Sequence, residues 1–245
     1  MKIAIDHDKC TACGRCVEVC NINFSEGPDG KPTYEHFMAL LRSRRSRREF
    51  TEQAVSREHI DALLAAAAQA PNGLNRRNVG YTVITDRKVL SELSLAVGRQ
   101  TGKFADWLAR PAFRALFKLL WGRAYADLEP LVPLLKPMAE ETLKGNDMVL
   151  YKAPCAILLH TLKHDACGAE DAVYCGANIL LAAETLGLGA CVIGFLTGPI
   201  NSGRGLRELA RIPPGHKVHT SIIAGHPRFA YSQGLLRPLP ETRRV

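Results

Sequence analysis

The strongest constraint on the fold lies in the second half of the chain. Short apolar runs of strand length, Cys155 to His160, Ala190 to Ile193 and Ser221 to Ala224, are interleaved there with a helix-length segment, Asp171 to Leu186, that closes on Gly187. An apolar run of this length between turn residues reads as a buried strand. Strands in alternation with helices predict a layered α/β or α+β domain. The first half adds to the same pattern. Phe37, Leu40 and Leu41 share a helical face, and Ser56 is placed to cap a helix with Ile60, Leu63, Leu64 and Ala67 on one side. Pro71-Asn72-Gly73 breaks that helix, and Tyr81 to Thr85 reads as a strand.

Between these halves, residues 98–147 read as a basic amphipathic insert. Phe104, Trp107, Leu108, Phe113, Leu116, Phe117, Leu120 and Trp121 recur at three- and four-residue steps. An apolar helix face needs a partner. The insert is therefore expected to pack as a lid or dimer cover, with docking on a membrane surface as the weaker alternative. No stretch has the length and polarity of a membrane span. The opening Met1-Lys2-Ile3-Ala4-Ile5-Asp6 is too short and too soon acidic for a secretory signal, so a cytoplasmic location is expected. In that reducing setting the eight cysteines are thiols or metal ligands rather than disulfides.

Cys10, Cys13, Cys16 and Cys20 have the spacing C-x2-C-x2-C-x3-C, the run that wraps an iron–sulfur cubane in bacterial ferredoxins. A 4Fe-4S cluster in a small ferredoxin-like segment, residues 1–33, is the expectation. The turn-rich stretch Glu26 to Pro32 links it to a second domain, residues 34–245. Asn21 replaces the proline usual after the fourth cysteine, and there is one run where such modules commonly have two. Three cysteines are therefore ligands to one cluster. The fourth is Cys20, its copy from a partner chain, or one of Cys155, Cys167, Cys175 and Cys191. A tetrahedral zinc site is the competing reading, although zinc modules usually pair two C-x2-C knuckles across a longer loop.

The net charge of +8 admits nucleic acid, a membrane surface or an anionic cofactor as partner, and five of the arginines fall within Arg42 to Arg48. This cluster lies between apolar elements, with a hydroxyl at Ser46. Planar arginine forks in that setting suit one buried phosphate better than a nucleic-acid backbone, and nucleic acid ranks last. Gly187-Leu188-Gly189 follows a helix and completes no dinucleotide fingerprint. His160, His164, His216, His219 and His226 have no ligand-pair spacing and read as structural, as do Asp171 and Asn178 at a helix interface.

Arg44-Arg45-Ser46-Arg47-Arg48-Glu49-Phe50, followed by Ala70-Pro71-Asn72-Gly73-Leu74-Asn75, resembles the opening of the FMN-dependent nitroreductase family. Asn178 to Phe195, Ile212 to His216 and Ala224 to Pro227 resemble that family's later segments. The cysteine run makes the whole similar to its ferredoxin–nitroreductase fusion subgroup. The resemblance implies an α+β three-layer sandwich around a mainly antiparallel sheet, and FMN at a homodimer interface. It assigns Arg44, Arg45, Ser46 and Arg48 to FMN, with Arg48 as stabiliser of the reduced, anionic ring. Asn72, Gly73 and Asn75 match the loop lent by the second subunit, Ile193 and Gly194 the backbone donors near the reactive ring nitrogen, and Arg237 a late phosphate contact. Asn72 stands where serine is common. Arg77 stands where glutamine is common, and either adds charge near the flavin or is a surface residue. Arg47 and Arg76 are expected to be solvated. The implied function is electron transfer from NAD(P)H or a ferredoxin, through the cluster and FMN, to a small acceptor such as a nitroaromatic, quinone or enone. The alternative is a non-catalytic redox sensor or electron-transfer partner.

Overall fold

The computed structural model describes residues 32–231 and 233–244. The four-cysteine run and its linker lie outside the described residues, as does the side chain of Trp121. Among the described residues, four strands make one sheet: β1 (Gly80–Ile84), β2 (Cys155–Leu162), β3 (Gly189–Val192) and β4 (His216–Gly225). Their order is β1-β2-β4-β3 and every neighbouring pair is antiparallel. The helices are α1 (Tyr34–Ser43), α2 (Arg57–Ala68), α3 (Arg87–Leu108), α4 (Pro111–Leu128), α5 (Val132–Leu143), α6 (Gly168–Thr185), α7 (Gly194–Ser202) and α8 (Arg204–Leu209).

The unbroken apolar run of β2 has a direct cause in the layering. Successive side chains of a strand point to opposite faces. Cys155, Ile157 and Leu159 pack with Leu63 and Ala67 of α2 and with Ala172, Ile179 and Ala183 of α6. Ala156 and Leu158 pack on the other side with Leu93 and Val97 of α3 and Leu196 and Ile200 of α7. Both faces are covered, so no position facing water remains to be polar. The result is the expected α+β three-layer sandwich. Ser56 caps α2 as read from the sequence, its hydroxyl accepting from the His59 amide at 3.2 Å. Such a cap contributes about 1 kcal/mol.

One irregularity reorders β4. Leu159 pairs with Thr220 but His160 with Val218, which leaves His219 as an extra residue. A bulge of this kind flips the faces on either side of it. Val218 accordingly joins the α3 side of the core while Ile222 joins the α6 side. The bulge also gathers histidines that the sequence keeps far apart. His160 Nδ1 lies 2.9 Å from His216 Nδ1, and His219 Nε2 lies 2.9 Å from Thr161 Oγ1. His160 is buried, and an added Cβ on Gly80 would come within 2.5 Å of its ring. Burial lowers its pKa to about 4, helped by His216, Arg207 and His219 nearby. His219 is lowered by burial too.

These imidazoles are held neutral, and the sign of the effect follows. Below about pH 6.5 the unfolded chain takes up a proton at His160 that the folded chain refuses until about pH 4. Stability is fully present above the unfolded value and is lost as pH falls towards the folded one. We predict a urea midpoint that drops across this window and a flatter dependence in His160→Asn. A midpoint that stays level on acidification would refute a neutral, buried His160.

The insert is a helical hairpin rather than one amphipathic helix. α3 starts at Arg87, where the Asp86 carboxylate accepts from the amides of Lys88 and Val89, so residue 98 falls inside it. Gly98 there lets α5 approach: an added Cβ would lie 3.1 Å from Thr142 Cγ2. α4 enters on a proline at its first turn and is broken at Gly122, where φ is 37°. Phe104, Phe113 and Phe117 pack with Leu108, Tyr125 and Leu135 as a small core of their own.

Candidate functional site

The arginine segment runs as an extended edge beside β3. Ser46 bridges Ala190 in parallel, and the Arg47 amide donates to the Ala190 carbonyl at 3.1 Å. Further on, Phe50 bridges Pro227 and the Thr51 amide donates to the His226 carbonyl at 2.8 Å. Extended backbone alternates its side chains, and this sorts the arginines into two sets. Arg45 and Arg47 turn towards the C-terminal segment, stacking over the Tyr231 ring at 5.6 Å and 4.3 Å. Arg45 donates to the Gln233 carbonyl at 2.9 Å and Arg47 to that of Phe229 at 2.8 Å. Ser46 and Arg48 alternate with Arg47 and are exposed, while Arg44, at the end of α1, is half-buried and adds positive charge near Glu184.

Arg47 corrects the expectation that it is solvated. It is buried, and its guanidinium lies 4.0 Å from the Glu184 carboxylate at the end of α6. Glu184 is itself raised in pKa by burial, with Arg47 as the largest opposing influence. The inward position fills a gap left by a missing side chain. A Cβ on Gly189 would meet Arg47 Cβ at 2.7 Å, so the segment approaches β3 only because residue 189 is glycine. Arg45, assigned to FMN by the resemblance, is occupied by backbone carbonyls at Arg42, Arg44 and Gln233.

The asparagine loop is a strained turn. Leu74, Asn75 and Arg77 have φ of 56°, 52° and 50°, a region that residues with a Cβ seldom occupy. Its supports are local. Asn72 Oδ1 accepts from the Arg77 amide at 3.0 Å, and Asp171 Oδ1 of α6 accepts from the Gly73 amide at 2.8 Å. Gly73 is required, because an added Cβ would sit 2.6 Å from Cys167 Sγ. Asp171 is buried, and its Oδ2 has no hydrogen-bond partner among the described residues. Asn178, also read as an interface residue, donates to the Ala66 carbonyl at 3.1 Å. Asn75, Arg76 and Arg77 are exposed.

Ile193 and Gly194 follow β3 directly, beside the arginine segment. The Ile193 amide donates to the Ser221 carbonyl at 2.8 Å and is therefore committed to the sheet edge. Gly194 is the first residue of α7, so its amide has no acceptor within the helix. Nothing lies within 4 Å of where its Cβ would be. Arg237 is in the exposed C-terminal segment, just after Leu235, whose amide donates to the Arg42 carbonyl at 2.9 Å. Of the downstream thiols, Cys155, Cys175 and Cys191 are buried and Cys167 is partly exposed. Burial pushes the Cys155 thiol up to about 12 and raises Cys175, which lies 3.3 Å from the Tyr81 hydroxyl.

Within one chain these parts form two separate half-sites. Arg47 meets α6 at Glu184, near its end, and the asparagine loop meets the same helix at Asp171, near its start. The thirteen steps between them make about 20 Å at ~1.5 Å per residue. The arginine segment bridges β3, the strand that leads into Gly194, whereas the loop of Asn72, Gly73 and Asn75 is held at the far end of α6.

The sequence model of the nitroreductase family matches residues 41–226. The chain belongs to the nitroreductase family. A second model, of a 4Fe-4S single cluster domain, matches residues 3–73. The chain is 27% identical over 187 residues to an FMN reductase [NAD(P)H] of Bacillus subtilis, covering 76% of this chain and 64% of that protein. It is 24% identical over 197 residues to an iodotyrosine deiodinase of Danio rerio, covering 79% of this chain and 60% of the relative. It therefore spans less than two thirds of either. An FMN-dependent nitroreductase of Clostridium difficile superposes with a TM-score of 0.60 at 24% identity, over 87% of this chain and all of the other. An FMN-bound nitroreductase of Desulfitobacterium hafniense gives 0.61 at 19% identity, over 85% and 97%. These two confirm the fold.

Proposed function

We propose that this nitroreductase-family chain is an FMN-dependent oxidoreductase. It passes electrons through an N-terminal iron–sulfur cluster and FMN to a small organic acceptor of the nitroaromatic, quinone or enone class. The carrying observation is the sorting of the arginine segment. Ser46 and Arg48 stay exposed on the segment that bridges β3, and β3 leads directly to the uncommitted amide of Gly194, while Arg45 and Arg47 hydrogen-bond to the C-terminal segment. Ser46, Arg48 and that amide have the donors an anionic phosphate and a flavin ring need, and the residues present fit the cofactor. Bound FMN would supply both one- and two-electron exchange. Arg44 and Ser46 would hold the phosphate and ribityl chain. Arg48, which lies 5.7 Å from the centre of the Tyr151 ring, would place positive charge beside the flavin.

The separation of the half-sites along α6 supports a homodimer. There the Asn72 to Asn75 loop of one copy completes the arginine segment of the other. The Cys10, Cys13, Cys16 and Cys20 thiolates suit a 4Fe-4S cluster, and the match of a single-cluster family over residues 3–73 supports that assignment and the fusion subgroup. On this reading residues 1–33 form the iron–sulfur segment and 34–245 the flavin domain. NAD(P)H or a ferredoxin is the donor.

The test is an absorbance spectrum, with iron and sulfide assays and solution mass, on protein purified without oxygen. Flavin bands, a broad iron–sulfur shoulder and the mass of two chains are expected. A colourless protein that takes up no added FMN would refute the flavin assignment. Flavin without iron or sulfide would remove the cluster alone.

A further inference from the structure

The insert presents an exposed apolar surface of its own. α3 carries Trp107 in its last turn, and α4 carries Leu116, Leu119 and Leu120; these four are 53%, 51%, 80% and 63% exposed. Trp107, Leu116 and Leu120 join Phe104, Phe113 and Phe117 around an open groove of about 320 Å³ with no polar atom in its wall. Beside the groove, Arg110, Arg114 and Lys118 are exposed and recur every four residues, a basic row along one side of the helix in which Arg114 also donates to the Leu108 carbonyl at 3.1 Å. From Arg99 to Arg123 the sequence has six lysines and arginines against one acidic residue, Asp106. Among the described residues of the single chain, nothing covers the outer side of Leu116, Leu119 and Leu120.

The geometry points to this hairpin as a docking surface for anionic lipid bilayers. Protruding leucines and a tryptophan enter the boundary between headgroups and acyl chains, and a basic row beside them meets the negative surface. The basic residues beside the apolar stripe select an anionic surface over an uncharged apolar protein face. The chain would lie on the bilayer without crossing it, and no helix among the described residues is long and apolar enough to cross.

The full chain, loaded with FMN and cluster as purified, is sedimented with phosphatidylcholine vesicles that contain or lack phosphatidylserine. Partition onto the anionic vesicles, weakened by salt, is expected, with little onto the neutral ones. Leu119→Glu with Leu120→Glu should reduce partition about tenfold or more, by removing two apolar anchors and adding like charge. Arg110→Gln with Lys118→Gln should weaken it on the anionic vesicles alone, by roughly fivefold per charge. Unchanged absorbance of the bound cofactors shows that these variants fold. Failure to partition, or equal partition onto both vesicle types, overturns the inference. So does a change of solution mass in the leucine variant, which would make the face a contact between copies. None of these outcomes depends on the acceptor or on turnover.

Discussion

Gly189→Val is expected to release FMN and to lower stability by about 1–3 kcal/mol, the usual cost of forcing extra methyl groups into a packed site. The reason is the close approach of the arginine segment to β3. An added Cβ would stand 2.7 Å from Arg47 Cβ and 2.8 Å from its Cγ, with Phe50 at 3.4 Å. The nearest atom is at the root of its side chain, so no rotamer change relieves the contact. The bond from the Arg47 amide to Ala190 must open, and Ser46 and Arg48 shift with it. Flavin fluorescence on titration with FMN and the urea midpoint measure the two effects. A variant that keeps both at the parent values would show that the segment does not depend on β3.

Neighbouring arginines should give opposite phenotypes. Arg47→Gln is expected to cost about 2–4 kcal/mol of stability, because it strips Glu184 of its buried counter-charge and Phe229 of a donor. Arg48 is exposed and faces the other way, so Arg48→Gln should leave the urea midpoint nearly unchanged. Its FMN affinity should instead fall ten- to a hundredfold, the worth of a charge-assisted contact of about 1.5–3 kcal/mol. Equal loss of stability in both variants would refute the alternation of the strand. A parent-like FMN affinity in Arg48→Gln would remove Arg48 from the flavin site.

These contrasts mark what sequence alone can resolve. The runs at Cys155, Ala190 and Ser221 and the cap at Ser56 were legible, because burial on both faces and capping leave local signatures. The loop after Pro71 and the arginine segment were legible as motifs. The burial of Arg47 was not, since five crowded arginines look alike until the backbone is known to be extended and its parity fixed. The anchor of Gly73 on Asp171 joins residues 98 positions apart and has no local trace. The bulge at His219 is similarly silent, for one extra residue in β4 is defined only by its partner strand. The apolar helical spacing of the insert is visible in the sequence, but periodicity does not say where a hairpin turns, and α4 breaks at Gly122.

The basic composition has a second use that a charge count conceals. Arg45, Arg47, Arg87, Arg114, Arg207 and Arg228 each direct guanidinium hydrogens at main-chain carbonyls. Arg87 ties Glu52 to Lys152, Arg207 reaches both Pro213 and His216, and Arg45 and Arg47 hold the segment after β4. These stretches lie mostly between the regular elements, where ladder bonds are sparse. A guanidinium fork reaches two acceptors at once from a rigid plane, whereas an ammonium does so from a flexible point. Six of the 32 lysines and arginines thus also work as stitching between loops, a structural role that the overall charge does not reveal.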